Sequence, residues 1–118
     1  MQDIFQLVLK EQKKIIKAGF KWPSTTQAIN KVQEELLELV DAISLKNETA
    51  IKEEFGDLIL AVMTLSLYLK IDLSSSLNDA FKKFNKRYKQ MHKVSKEKGI
   101  LFSTLSLKEK EALWLSVK

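Results

Sequence analysis

Between Glu34 and Asp57 the chain carries eight of its fifteen acidic residues against two bases, Lys46 and Lys52. The stretch opens with EELLEL and closes with EEFGDL, and each half holds two carboxylates three residues apart: Glu35 with Glu38, and Glu54 with Asp57. Residues at that spacing share one face of an α-helix. Fifteen residues lie between the two pairs, room for a helix end, a short loop and a new helix start. Two antiparallel helices then bring four carboxylates to one place. The segment is −6 and the rest of the chain +11. Clustered carboxylates repel one another unless a cation joins them. A hard divalent ion such as Mg²⁺, which takes oxygen ligands, waters and a substrate's phosphates, suits such a cluster. The plainer alternative is a solvated acidic helix surface.

The rest of the chain is predicted to be helical. Three glycines and one proline leave little material for β-turns, and Leu, Lys, Glu, Ile and Ala favour helix. A first helix is predicted over residues 3–18, ending at Gly19. The loop GFKWPS follows, in which Pro23 stops the helix from continuing. Ser24 and Gln27 form an S-x-x-Q capping box for a second helix, whose Ile29, Val32, Leu36, Leu39, Val40 and Ile43 make an apolar stripe. Glu35 falls at the edge of that stripe, with Glu38 next outward. Asn47 is the expected N-cap of a third helix running to about Leu69. Gly56 stands inside it, a position that signals close approach of a helix or ligand. From Leu58 to Leu69 this helix is apolar nearly all round and is expected to be buried on every side. One chain of 118 residues has difficulty surrounding it, so the expected fold is an all-α, four- to five-helix bundle in a single domain, 1–118, completed by oligomerisation.

A fourth helix, N-capped by Asp72 or Ser74, is predicted to end at Gly99. From Lys82 to Lys98 it carries eight basic residues and one acid, Glu97. Most of these read as a solvated face, but Lys83 and Arg87 are one turn apart, and Arg is a planar partner for phosphate. Ser106 and Glu109 make a capping box for a last short helix that bears Trp114. Two readings are open for each tryptophan. Trp22 either plugs a core or stacks on a base, and Trp114 either anchors the terminal helix or closes over a nucleotide.

Several classes are excluded. Without cysteine there is no disulfide, thiol nucleophile or thiolate metal site, which fits a reducing cytosol, and His92 as the one histidine excludes a His-cluster zinc site. The start of the chain lacks the basic residues and cleavage site of a signal peptide. The longest apolar run is shorter than the roughly 20 residues of a membrane span. A cytoplasmic protein without membrane partners is expected. Net charge of +5 suits polyanions such as nucleotides or nucleic acid.

At GFKW, KVQEELLEL, EEFGDL, LKIDLSSSLNDAFKKFNKRYKQM and LKEKEALWLSVK the chain resembles the MazG-type nucleoside triphosphate pyrophosphohydrolases over nearly its whole length. It is similar to a single MazG domain, best to the second of the two found in longer relatives. The resemblance implies an all-helical Mg²⁺ enzyme, with Mn²⁺ as a possible substitute, that converts a nucleoside triphosphate to monophosphate and pyrophosphate as a homodimer or homotetramer. It implies Glu35, Glu38, Glu54 and Asp57 as metal-binding and catalytic residues, with Glu35 or Glu38 orienting the water. Lys83 and Arg87 would then contact the phosphates, Trp114 and Lys118 would lie near the nucleotide, and Trp22 would face the pocket. The chain departs from many relatives at Thr64, where they have asparagine. The competing reading is a non-enzymatic basic helical module that binds nucleic acid through the fourth helix, or an oligomeric scaffold. The −6 segment and the lack of aromatic interleaving make nucleic acid the weaker partner.

Overall fold

The structure, a computed structural model, describes residues 3–118, which form five α-helices and one short 3-10 turn and contain no strand. The first helix, α1, spans Ile4–Lys17. Asp3 caps it, its carboxylate accepting the Phe5 N–H at 3.4 Å. At its end Gly19 adopts φ +106°, and the Gly19 and Phe20 N–H groups return to the Ile16 and Ile15 carbonyls. A left-handed residue just past a helix closes the orphan carbonyls in this way.

Helix α2 spans Thr25–Ser44 and α3 spans Glu48–Tyr68. Ser24 takes the N-cap position of α2, but its hydroxyl pairs with the Gln27 side chain and makes no bond to the backbone. The expected S-x-x-Q box is therefore only half realised: the two side chains satisfy each other instead of the helix end. At α3 the expectation holds, with the Asn47 side chain accepting the Ala50 N–H at 3.1 Å. A link of three residues, Leu45 to Asn47, with Lys46 at φ +54°, returns α3 alongside α2. Such short links make antiparallel neighbours. Helix α4 spans Leu73–Glu97 and begins directly after Asp72; Gly99 at φ +71° follows its end. The 3-10 turn at Phe102–Thr104 leads to α5, Leu107–Ser116. There the predicted capping box is complete, Ser106 Oγ accepting the Glu109 N–H at 3.1 Å and Glu109 accepting the Ser106 N–H at 3.0 Å.

The chain divides into two compact units, Met1–Leu73 and Ser74–Lys118. In the first, α2 packs along α3, and α1 also rests on α3. Ala28, Ala42, Ala61 and Met63 are its buried apolar residues, and alanines at the contact let the helix backbones come close. In the second, α5 folds onto α4, with the Trp114 ring 5.1 Å from that of Phe84. No single helix is long and apolar enough to cross a membrane among the described residues.

One chain does not enclose the apolar half of α3, as its size led one to expect: Ile59, Leu60, Val62 and Leu69 remain 37 to 45% exposed, because two packed helices cover only part of a cylinder. Nor does another part of this chain approach Gly56, since a Cβ there would meet nothing within 4 Å. Gly56→Ala should then stabilise the isolated fold by up to about 1 kcal/mol through helix propensity, read by urea or thermal melting. A loss of stability would instead show that something outside the chain closes on the helix backbone there.

Candidate metal centre and adjoining cavity

The two acidic pairs meet. One carboxylate oxygen from each of Glu35, Glu54 and Asp57 lies within 4.8 Å of the others, and Glu34, Glu35 and Glu38 form a second such group. The reason is the one read from the spacing: each pair occupies one turn of its helix, and α2 and α3 run side by side. Glu35, at the edge of the apolar stripe, is only 5% exposed, while Glu38 and Asp57 lie at the open rim.

A buried carboxylate needs a partner. Lys31, one turn earlier on α2, supplies it, with its ammonium 2.8 Å from Glu35 Oε1 and 3.5 Å from Glu34 Oε1. The Lys31 bond holds the Glu35 carboxyl below the usual carboxylate range against the opposing effect of burial, and the same bond raises Lys31. Glu38 goes the other way, to about 7, because it shares hydrogen bonds with Glu54 first and Glu35 second and cannot ionise beside them without repulsion.

This donor set fits a hard divalent cation. Once Glu38 is ionised and has no proton to share, Glu35 Oε2 and Glu54 Oε2 are buried without a hydrogen-bond partner, a costly state that a coordinated ion would relieve. Oxygens on one Mg²⁺ stand about 3 to 4 Å apart at metal–oxygen distances near 2.1 Å, and the oxygens here already lie within 4.8 Å of one another.

A cavity of about 510 Å³ adjoins these carboxylates. Lys31, Glu35 and Asp57 form its charged end, and Phe20, Trp22, Thr64 and Tyr68 are among the residues lining the rest. Trp22 therefore lines the cavity that Glu35 and Asp57 also border. The sequence reading missed Lys31 and Tyr68. The i, i+4 spacing of Lys31 and Glu35 was the available signal for the first; Tyr68, distant in sequence from the loop it touches, left none.

In the second unit Arg87 and Trp114 come together. The Arg87 guanidinium lies 3.6 Å from the indole centroid, and its Nη2 donates to the Trp114 carbonyl at 2.8 Å. Trp114 thus anchors α5 on α4, and Arg87 helps to dock it while keeping a buried Nε without a partner. Lys83 and Lys118 are exposed.

Fold and site define an all-α protein with a cluster of carboxylates beside a cavity lined in part by aromatic residues. Residues 24–92 match the MazG nucleotide pyrophosphohydrolase domain family, and the chain belongs to that family. It is 32% identical over 107 residues to the nucleoside triphosphate pyrophosphohydrolase/pyrophosphatase MazG of Thermotoga maritima, covering 91% of this chain and 41% of that protein. It is 27% identical over 111 residues to a nucleoside triphosphate pyrophosphohydrolase of Escherichia coli, covering 92% of this chain and 42% of that one. The chain spans about two fifths of the length of these two curated relatives.

The electrostatics give a signed pH dependence. Between the ordinary value of 4.5 and about 7, the folded protein keeps a proton on Glu38 that the unfolded chain has released. Stability from this group is present below that window and is lost as pH rises through it; Glu35, with its lowered value, acts in the opposite sense at lower pH. Thermal melting in EDTA should show Tm falling between about pH 5 and 7.5. Added Mg²⁺ should raise Tm more at the upper pH, where a cation on the neighbouring carboxylates does not first have to expel the Glu38 proton. Equal Mg²⁺ shifts at both would uncouple Glu38 from any cation held by its neighbours.

Proposed function

We propose that this chain hydrolyses nucleoside triphosphates, ordinary or modified, to the monophosphate and pyrophosphate, with Mg²⁺ as cofactor and Mn²⁺ able to replace it. The observation that carries this reading is the meeting of Glu35, Glu38, Glu54 and Asp57 at the end of a cavity large enough for a nucleoside. A cation alone would need only the carboxylates. The aromatic cavity beside them suits an organic group attached to the phosphates, and the family match supports the same reading.

In this reading Glu35, Glu54 and Asp57 would hold the cation, whose charge would neutralise phosphate oxygens and offset the repulsion between the acids and a polyanion. Glu38 takes a proton from water as the water oxygen attacks the α-phosphorus. The bond from that phosphorus to the bridging oxygen breaks, and pyrophosphate leaves. Glu38 stands beside the three carboxylates assigned to the cation and keeps its own carboxylate for that task, whereas Glu35 is already engaged by Lys31. The cavity receives the nucleoside, with Trp22 against the base. Lys83, Arg87, Trp114 and Lys118 are proposed as further substrate contacts.

The same reading makes the protein a homodimer or homotetramer. Leu36, Val40 and Ile43 of α2 and Phe55, Ile59 and Val62 of α3 are 37 to 54% exposed in one chain, and apolar faces of that extent mark an association surface. A cysteine-free chain acting on nucleotides would work in the cytoplasm.

Product analysis tests the reaction. Incubation with a panel of ordinary and modified (d)NTPs should give monophosphate and pyrophosphate with Mg²⁺ and nothing with EDTA. Glu38→Gln and Asp57→Asn should each lower kcat/KM by at least about 100-fold while circular dichroism stays helical. Diphosphate with orthophosphate would move the attack to another phosphorus, and full activity in both variants would displace the site.

A further inference from the structure

The loop between α1 and α2 is held from an unexpected direction. Its first part is finished by α1, through the Gly19 and Phe20 N–H bonds, and Thr25 already belongs to α2. Between them Pro23 has no N–H to give, and Trp22, as the residue before a proline, is confined to extended backbone. The Trp22 N–H donates to the Tyr68 hydroxyl at 2.6 Å, across 46 positions of sequence. Tyr68 is the last residue of α3, eleven residues beyond Asp57, and its ring lines the cavity with Trp22 and Phe20. One bond to a stiff dipeptide settles where the dipeptide lies, and with it the indole that walls the cavity.

We propose that Tyr68 is a positioning residue whose hydroxyl braces the Trp22 loop against α3 and so sets how tightly and how selectively the cavity holds a nucleoside. The proposal rests on the reading of the cavity as the nucleoside pocket. A phenol that accepts a hydrogen bond still has its own O–H to give, so the brace also offers the bound group one donor. Thr64, one turn back on α3, has committed its hydroxyl proton to the Leu60 carbonyl at 2.8 Å and offers the cavity lone pairs only. The far end of the pocket thus presents an acceptor and a donor one helical turn apart, a pattern that distinguishes bases by their edges. That pattern is kept only while the loop stays against Tyr68.

Tyr68→Phe removes the hydroxyl and keeps the ring. With full-length protein, Mg²⁺ and several nucleoside triphosphates, the variant should raise KM about fivefold, the worth of one hydrogen bond, with kcat within twofold. The spread of KM among bases should narrow. In a Trp114→Phe background Trp22 is the one tryptophan left. Its fluorescence should then become more open to acrylamide quenching in Tyr68→Phe, and an added nucleoside monophosphate should shield it less than in the protein that keeps Tyr68. Unchanged quenching and an unchanged spread of KM would overturn the proposal. So would kcat and KM worsening together with a large fall in Tm, which would make Tyr68 a fold residue. If no nucleotide is turned over at all, the proposed reaction fails, and the shielding of Trp22 by monophosphate still decides the brace: a difference between the protein with Tyr68 and the Tyr68→Phe variant upholds it, and none overturns it.

Discussion

The buried pairing of Glu35 with Lys31 is the interaction on which the rest of the first unit depends. Glu35 lies where α2 meets α3, 5% exposed, and a lone charge there would oppose the packing of the two helices. Lys31 satisfies one oxygen and leaves the other bare. That half-satisfied state is what a cation site requires. Full neutralisation by a second base would stabilise the metal-free fold and remove the ligand. No neutralisation would push the carboxyl to its protonated form, which is the wrong form for binding a metal. Lys31 keeps Glu35 ionised at the lower end of the carboxylate range while Glu54, Asp57 and Glu38 crowd the same turn.

The centre and the cavity are arranged by one helix. Asp57, Leu60, Ala61, Thr64 and Tyr68 recur every three or four residues and line the same space, so α3 acts as a ruler from the charged end to the aromatic end. Its opposite face carries Phe55, Ile59 and Val62, which one chain leaves exposed. The helix is apolar nearly all round: one surface is turned to the cavity and α2, and the other is the surface assigned above to the proposed association of copies.

What the sequence revealed follows from how local each signal is. The carboxylate cluster was legible because an i, i+3 pair declares its face without any knowledge of the fold, and a short break between two helices forces them antiparallel. Asn47 and Ser106 were legible because capping involves residues three apart. Ser24 was read one step too far: its hydroxyl had a second partner, the Gln27 side chain, as near as the backbone it was expected to serve. Gly56 was read as a sign of close approach that this chain does not contain. Arg87 was read as a phosphate contact, and its bonding to the indole and carbonyl of Trp114, formed over 27 residues, is one that no periodicity announces. The Tyr68 bond to Trp22 is longer-ranged still and was invisible for the same reason.

The distribution of stability therefore follows the chemistry. Glu38, held near neutral by its neighbours, and the two orphaned oxygens of Glu35 and Glu54 are all unfavourable to the metal-free fold. A divalent cation would relieve each of them, so in the proposed reading the same atoms that weaken the protein alone would give the cation its affinity, by the linkage that makes ligand binding and folding one free energy. The helices around them are closed conventionally, by Asp3, Asn47 and the Ser106–Glu109 box. Strain gathered at one turn of α2 and one of α3 can be tolerated because the caps and the alanine-lined contact elsewhere carry no comparable cost. A chain built for packing alone would place leucine where Glu35 stands. The persistence of a buried acid with one free oxygen at that point is the physical argument that the helices are arranged around a ligand.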